Sequence, residues 1–434
     1  MYGGMIKIAF KTLGCRVNLY ETDALASQFK ANGYAIVGDG EEADVVVVNT
    51  CTVTNQSDQK CRQTIHQARR KNPAALIVIT GCMVNNYKEE LLHSGLADYI
   101  IDNEHKAALF DIINDHFTLG ASDPEGYDKD LFSYMPAFDT FHTRSLIKIQ
   151  DGCNNFCSYC IIPTVRGRST SRNDNDICKN ISDVVAHGFK EVVLTGVNMG
   201  RYQYGDTSFE HLLARILDID GDFRVRIASI EPDQFSDTFL QLFQHEKLAP
   251  HMHVCLQSGS ENTLKRMHRF YTANQFRDMC TRIKQFRPDF NLTTDIIVGF
   301  PGETEAEFAE SCDFAKEIGF SHIHTFKYSV RSGTKAATLP DQIPEKVKTQ
   351  RSETMRGISL QNRIAYFNRM KGSKQRLLVE RIDSHGMAKG YGENYIPLLL
   401  KANGIQRNRF VEVCLKETIN TDNEEKMAFL CSII

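Results

Sequence analysis

SLIKIQDGCNNFCSYC, residues 145–160, reads as a short apolar strand, a glycine turn and three cysteines, Cys153, Cys157 and Cys160, spaced C-x3-C-x2-C. That spacing fits three sulfurs on one tight loop at the carboxyl end of a strand, the face on which parallel α/β barrels place their chemistry. Zinc sites normally take four protein ligands, often as two C-x2-C pairs. Here no fourth Cys or His is close, and Cys178 falls in a helical pattern. A [4Fe–4S] cube held by only three thiolates leaves one iron open to a substrate or cofactor. On spacing alone zinc, an ordinary electron-transfer cluster and three unrelated buried cysteines remain alternatives.

The surrounding pattern sets the architecture. After 145–150, strand-like runs recur at KEVVLTG (190–196), FRVRIAS (223–229), HMHVCLQ (251–257), LTTDIIVGF (292–300) and HIHTFKYS (322–329), mostly separated by amphipathic helical stretches. Six βα-like units over about 190 residues favour a partial (β/α)6 TIM-like barrel over a flat sheet. Upstream, IKIAFKTLG (6–14), ADVVVVNT (43–50) and AALIVITG (74–81) alternate with helical patterns, as in a parallel sheet covered by helices. The segment 118–130, TLGASDPEGYDKD, has linker composition. One long helical pattern fills 344–370, and from residue 375 the texture becomes that of a small all-β barrel of about 60 residues. The chain is therefore expected to be α/β, with an N-terminal parallel-sheet domain (5–117), a linker (118–140), a central barrel (141–370) and a C-terminal β-barrel (371–434).

Three further cysteines follow the N-terminal strands: Cys15 after the first, Cys51 after DVVVVNT and Cys82 after ALIVITG. Adjacent parallel strands end along one edge of an open sheet, where such sheets bind ligands, so the topology should gather these three thiols. Chance capping of a strand by a small apolar cysteine explains one of them more easily than all three. Cys61, Cys255, Cys280, Cys312, Cys414 and Cys431 are expected to be buried structural residues.

Composition bounds the rest. With 434 residues, 42% hydrophobic and 24% charged, the chain is neither disordered nor collagen-like. No apolar run reaches the roughly 18 residues of a membrane span. The start, MYGGMIKIAF, lacks the pattern of a signal peptide, with Met5 a candidate natural start and residues 1–4 an extension. Thirteen cysteines without an export signal suit metal or redox roles in a reducing cytoplasm.

The central loop resembles the signature of the radical S-adenosylmethionine (SAM) superfamily, C-x3-C-x-aromatic-C, with Tyr159 in the aromatic place. Thr195-Gly196-Val197-Asn198 resembles the motif meeting the SAM amino group, and Ser229-Ile230-Glu231-Pro232 the ribose motif. Val298-Gly299 resembles the strand end flanking the adenine, and Gln257-Ser258 closes another strand over the same face. Two cysteine triads on successive domains narrow the resemblance to the methylthiotransferases over nearly the whole chain. KTLGCRVNLYET is most similar to the branch acting on N6-threonylcarbamoyladenosine in tRNA. The resemblance implies two [4Fe–4S] clusters, one on Cys153, Cys157 and Cys160 and an auxiliary one on Cys15, Cys51 and Cys82. It further implies SAM as cofactor, with Tyr159, Gly196, Asn198, Ser229, Glu231, Gln257 and Val298 around it, and a C-terminal TRAM-like RNA-contacting barrel. The implied reaction inserts sulfur and a methyl group at C2 of the adenosine next to the anticodon, position 37, in two SAM-dependent steps. Isopentenyladenosine in tRNA and a ribosomal-protein aspartate are the alternative substrates, and an iron–sulfur carrier or RNA-binding protein is the non-enzymatic alternative. The implied partners are a tRNA anticodon stem-loop and an electron donor such as a flavodoxin or ferredoxin, with no membrane and a sulfur donor that the sequence does not name.

RNA binding requires cations. Residues 346–376 hold nine Lys or Arg and only Glu353 as an acid, either a solvated helix face or a phosphate contact. Arg166, Arg168 and Arg172, in VRGRSTSR, are a second candidate patch, with a plain exposed loop as its alternative.

Overall fold

The structure, a computed structural model, describes residues 5–38, 40–138, 142–232, 235–402, 404–420 and 427–434. The candidate extension 1–4, and residues 139–141 at the expected start of the central barrel, lie outside the described residues.

Val45–Thr50 is buried along its whole length because helices cover both faces of its sheet. Alternate side chains divide accordingly: Val45 and Val47 pack with Leu25, Phe29 and Ile112, while Val46 and Val48 pack with Ile65, Ala68 and Met83. The five parallel strands lie in the order Ala35–Val37, Lys7–Thr12, Val45–Thr50, Leu76–Gly81, Tyr99–Ile101. This order sets the first, second and third strand-following cysteines on three neighbouring strand ends.

The central strands form two parallel three-stranded sheets. One runs Arg144–Lys148, Glu191–Thr195, Arg224–Ile227 and the other His251–His253, Asn291–Val298, His322–Lys327. Parallel bridges Val225–Leu248 and Ile230–Val254 join them into a six-stranded partial barrel. The barrel is open between its first and last strands. Helix Arg16–Ala31 of the N-terminal domain packs on the first strand, and helix Glu345–Met370 packs on the last. The expected partial barrel and flanking parallel sheet are thus borne out.

The last five strands close into a barrel in the order Lys374–Ile382, Met387–Tyr391, Pro397–Lys401, Met427–Ile433, Phe410–Asn420. Helix Glu345–Met370 supplies part of its core, with Phe367 stacked on Phe429 at 5.0 Å. The barrel seals the amino end of the central strands. Glu191 takes Arg224 Nε at 2.7 Å and Arg226 Nε at 2.9 Å, and the two arginines also donate to the Arg376 and Glu393 carbonyls. No helix of the described residues is long and apolar enough to cross a membrane.

The segment expected to be a linker is more than a tether. Helix Leu109–Leu119 runs into it, Tyr134 is buried, and the Leu131 carbonyl accepts Lys148 Nζ at 2.9 Å. Polar composition marked its exposed half and not the aromatic and carbonyl groups that wedge between the two domains.

Asp23, inside helix Arg16–Ala31, carries a pH-dependent cost. Burial pushes its carboxyl up to about 7, against about 3.9 in an unfolded chain. The folded state therefore keeps a proton that the unfolded state loses, and stability falls as pH rises between those values. Asp23→Asn is expected to raise the thermal midpoint at pH 8 and to leave it nearly unchanged at pH 4. Equal midpoints at pH 8 would show Asp23 to be solvated.

Candidate metal centres

Cys15 caps helix Arg16–Ala31, Cys51 directly follows its strand, and Cys82 opens helix Cys82–His93. The approach is close: a Cβ on Gly14, whose φ is +100°, would lie 2.7 Å from Cys51 Cβ and 3.0 Å from its Sγ, so only glycine fits. Burial pushes the Cys51 thiol up to about 11, and the charges of Cys82 and Cys15 raise it further. Burial of the thiol also raises Cys15, although the residue as a whole keeps an exposed surface. The Cys15 and Cys51 thiols, both raised by burial, need added positive charge to stand as thiolates, and a cationic iron–sulfur core supplies it. The donor set fits such a core. Cys61 is buried beneath it, bonded to the backbone of Cys51 (Cys51 N to Cys61 Sγ 3.3 Å).

The second triad sits on the loop after Arg144–Lys148. Gly152, at φ +66°, lies under Arg168, and a Cβ there would come within 2.0 Å of that residue's carbonyl oxygen. Burial pushes Cys160 up to about 12, with the charges of Cys157 and Cys153 adding to the effect. Arg269 Nη1 donates to Cys157 Sγ at 3.1 Å and to Tyr159 Oη at 3.4 Å, and its other nitrogen pairs with Glu231. Asn198 Nδ2 lies 3.7 Å from Cys153 Sγ, while its buried Oδ1 has no protein partner. An orphaned acceptor beside three thiols suits an ammonium group, as the amino end of SAM requires.

The other expected SAM contacts lie on several strand ends of the barrel. Gly196 packs against Gln150, and Ser229 Oγ is 3.2 Å from Cys255 Sγ. Gln257 sits at φ 65° with its amide bonded to the Asp295 carbonyl at 2.8 Å. The Val298 side chain belongs to the apolar core and its carbonyl accepts Tyr328 N at 2.9 Å. The Tyr159 ring packs into an apolar cluster with Met267 and Phe300.

Sequence reading missed two residues here. Arg269 is 112 positions from Cys157 and leaves no local signature. Gln150, buried, accepts the Val197 and Asn198 amides at 3.0 and 2.7 Å and donates to the Asp151 and Gly152 carbonyls at 2.7 Å each. It thereby fixes the cysteine loop against the Thr195–Asn198 turn. Gln150→Ala leaves the buried Asn198 amide and the half-buried Val197 amide unpaired, at about 1–3 kcal/mol. It is expected to raise the KM for SAM about tenfold, with iron content unchanged. An unaltered KM would make Gln150 purely structural.

The candidate patch Arg166, Arg168 and Arg172 is corrected. Arg166 is buried, donating to Asp151 Oδ2 at 2.8 Å and Glu21 Oε1 at 3.3 Å. Arg172 is buried on Asn180 Oδ1 at 3.0 Å. Only Arg168 is exposed, its guanidinium 4.4 Å from the Phe156 ring. Arg166 folds inward because Glu21 and Asp151 leave negative charge to be met there. The 346–376 run is also partly consumed: Lys348 and Arg351 are buried, Arg351 pairing with Glu303 at 2.7 Å, and Arg376 pairs with Asp222 at 2.5 Å. Lys346, Arg356, Arg369, Lys371 and Lys374 remain exposed. Two cysteines expected in the core are partly exposed: Cys255 faces the barrel lumen beside Ser229, and Cys414 lies on the small barrel near the Gly372 carbonyl.

A buried charge group joins the triads. Glu21, on the helix that Cys15 caps, takes Lys106 Nζ at 2.7 Å, Lys148 Nζ at 2.9 Å and Arg166 at 3.3 Å, and Asp151 takes Lys148 and Arg166 in turn. The charges of Cys82 and Cys15 act on Arg166, so the group's excess cation faces the auxiliary thiols.

Residues 7–102 match the family described as Uncharacterized protein family UPF0004, and residues 147–315 match the Radical SAM superfamily. The chain is 37% identical to the threonylcarbamoyladenosine tRNA methylthiotransferase MtaB of Bacillus subtilis, over 94% of this chain and 93% of that one. It is 36% identical to the protein of that name from Aquifex aeolicus, over 91% and 96%. It is 33% identical to the tRNA-2-methylthio-N(6)-dimethylallyladenosine synthase of Pelotomaculum thermopropionicum, over 90% of each. Among solved structures, the radical SAM methyltransferase TsrM of Kitasatospora setae has a similar fold, with a TM-score of 0.56 at 14% identity over 77% of each chain. With identities above 30% across nearly its whole length, this chain belongs to the radical SAM methylthiotransferase family, whose members use two iron–sulfur clusters and SAM.

Proposed function

We propose that this enzyme methylthiolates C2 of N6-threonylcarbamoyladenosine at position 37 of tRNA, beside the anticodon, in two SAM-dependent steps. In this reading Cys153, Cys157 and Cys160 hold the SAM-binding cluster and Cys15, Cys51 and Cys82 the auxiliary one. The observation that supports it is the buried charge group, in which Glu21 of the helix that Cys15 caps pairs with Lys148 and Arg166 on either side of the second cysteine loop. When bound, the first cluster supplies the electron that splits SAM and the second supplies sulfur.

The chain's residues position these parts. Asn198 Oδ1 offers an acceptor for the SAM amino group. Glu231 would accept from the ribose hydroxyls of SAM, and Arg269, which pairs with that carboxylate and donates to Cys157, would keep ribose and cluster in register. The unactivated C2–H bond gives no side-chain base a usable task, and the protein's work is to align the base and keep water from the lumen. Bases beside an anticodon are already largely unpaired, which lowers the cost of drawing one inward.

RNA reaches the mouth of the barrel past Phe156 and Arg168. Phe156 is exposed at φ 48° between two cluster cysteines, and with the Arg168 guanidinium beside its ring it offers stacking and a charge together. Arg168→Ala is expected to weaken stem-loop binding and to reduce the slope of log affinity against log salt by about one. An unchanged slope would move the RNA path elsewhere. A low-potential flavodoxin or ferredoxin is the proposed electron donor, and the cytoplasm the proposed compartment.

Isopentenyladenosine is the second reading, favoured by the relatives named for dimethylallyladenosine. Nucleoside mass spectrometry of tRNA from cells with and without the gene separates the two. Loss of 2-methylthio-N6-threonylcarbamoyladenosine supports the first reading, and loss of the isopentenyl product overturns it.

A further inference from the structure

The lumen of the central barrel holds a polar group that SAM binding does not use. His253, Asp295 and His324 stand on three adjacent strands, with ligand atoms within 4.8 Å of one another. His253 Nε2 lies 3.2 Å from Asp295 Oδ1, and its Nδ1 is 3.0 Å from Thr293 Oγ1. Such a set resembles a cation site, but a relay fixes its chemistry otherwise. Arg363 donates to His322 Nδ1, so His322 carries its proton on Nε2 and donates to His324 Nδ1 at 3.2 Å. Burial, with Arg363 adding, pushes His322 down to about 3 and keeps that ring neutral. His324 therefore presents Nε2–H to the lumen. Neither of its nitrogens offers a lone pair to a metal, and the set is a donor for an incoming acceptor.

Arg16 borders the same lumen. It follows Cys15 directly and lines a cavity of about 710 Å³ with Leu146 and Val193 of the barrel, Arg226, and Tyr395 of the small barrel. Tyr395 on that cavity wall packs against His251 at 5.0 Å, and His253, two positions along the same strand, packs against His324 at 5.5 Å, so the cavity and the donor belong to one lumen. Arg144 and Arg226 in the same cavity are matched by Glu380 and Glu191. Arg16 has no carboxylate within ion-pair distance among the described residues. Asp295 opposes an anion here, and its second oxygen can accept from a hydroxyl.

The substrate's geometry connects these groups to the reaction. C2 and the N6 nitrogen of adenine flank N1 on one edge of the ring. If C2 meets a cluster on Cys15, Cys51 and Cys82, the N6 substituent falls beside the same thiols and extends down the lumen. The residue next to Cys15 is then the one that meets its far end. We infer that Arg16 and His324 Nε2–H bind the carboxylate of the threonylcarbamoyl group, with Asp295 accepting from its hydroxyl, and that this pocket selects the N6 substituent. The inference rests on the nucleoside assigned above. It gives the relay from Arg363 a purpose, since a fixed N–H beside a guanidinium matches a carboxylate and finds nothing to bond in an apolar isopentenyl chain.

The test is equilibrium binding of three anticodon stem-loops to the cluster-loaded protein without reductant. One carries N6-threonylcarbamoyladenosine, one unmodified adenosine, and one the threonine amide in place of the carboxylate. The protein is expected to prefer the first over the second by about tenfold to a hundredfold, the range of one charge-assisted contact pair. Arg16→Gln should cut that preference to about threefold or less while affinity for unmodified RNA stays put. The amide should lose affinity for the native protein and not for Arg16→Gln. His324→Asn, away from the cysteines, should weaken the preference in the same sense. If Arg16→Gln weakens all three RNAs equally, Arg16 holds an RNA phosphate and the inference is overturned; if the preference survives both substitutions, another group reads the substituent. A native protein with no preference between the first two RNAs overturns the nucleoside assignment as well.

Discussion

Cys157→Ala is expected to leave about four irons per chain in place of about eight, and to reduce 5′-deoxyadenosine formation to the level seen without enzyme. The size of the effect follows from the position. Cys157 is the middle thiol of its loop, buried, and bonded to Arg269, so no neighbouring side chain stands in for it; Cys255, in the lumen, is already bonded to Ser229. Cys51→Ala should also lose about four irons but keep SAM cleavage, because its cleft lies in the other domain. Methylthiolated nucleoside should then be absent while 5′-deoxyadenosine still forms. Parallel iron analysis and product assays separate the cases. Cleavage retained by Cys157→Ala, or methylthiolated product from Cys51→Ala, would reverse the roles given to the two triads.

Glu21→Gln should cost a large part of the protein's stability. Burial alone would raise this carboxyl, yet Lys106, Lys148 and Arg166 hold it well below the usual range. With amide in its place, Lys106 loses its carboxylate, and Lys148 and Arg166 share Asp151 alone. Removing one partner from a buried charge group costs about 3–5 kcal/mol. A carboxyl lowered in the folded state contributes its stability above its unfolded value, about 4.3, and loses it as pH falls through the folded value. The gap between native and variant should thus be full at pH 7 and shrink in acid. Urea unfolding at several pH values reads it, and protease cutting within 118–130 should accelerate in the variant as the domains part. A variant within about 0.5 kcal/mol of the native protein at pH 7 would mean that water compensates the group.

Removing the small barrel outright would be a poor test of its role. Arg224 and Arg226 would lose the Arg376 and Glu393 carbonyls, and Asn291 its bond to the Asn394 carbonyl at 2.7 Å. Such a truncation would damage the floor of the central barrel. Substitution of the exposed Lys371 and Lys374 leaves that floor intact and addresses RNA contact directly.

The sequence by itself determined the repeating strand and helix pattern, the closing β texture, and the two sets of three cysteines. Strand alternation and loop spacing are local properties, and parallel order converts them into neighbours: Cys15, Cys51 and Cys82 needed only adjacent strands to meet. Tertiary structure alone decided which charges are spent inside. Arg166 looked like a surface cation and is a buried partner of Glu21, 145 positions away. Gln150 and Arg269 acquired their places through contacts across the barrel. Arg16 and His324 come to face one lumen because the N-terminal helix fills the open side of the barrel. Pairings between distant segments depend on how whole domains pack, and a single chain carries no periodic trace of them.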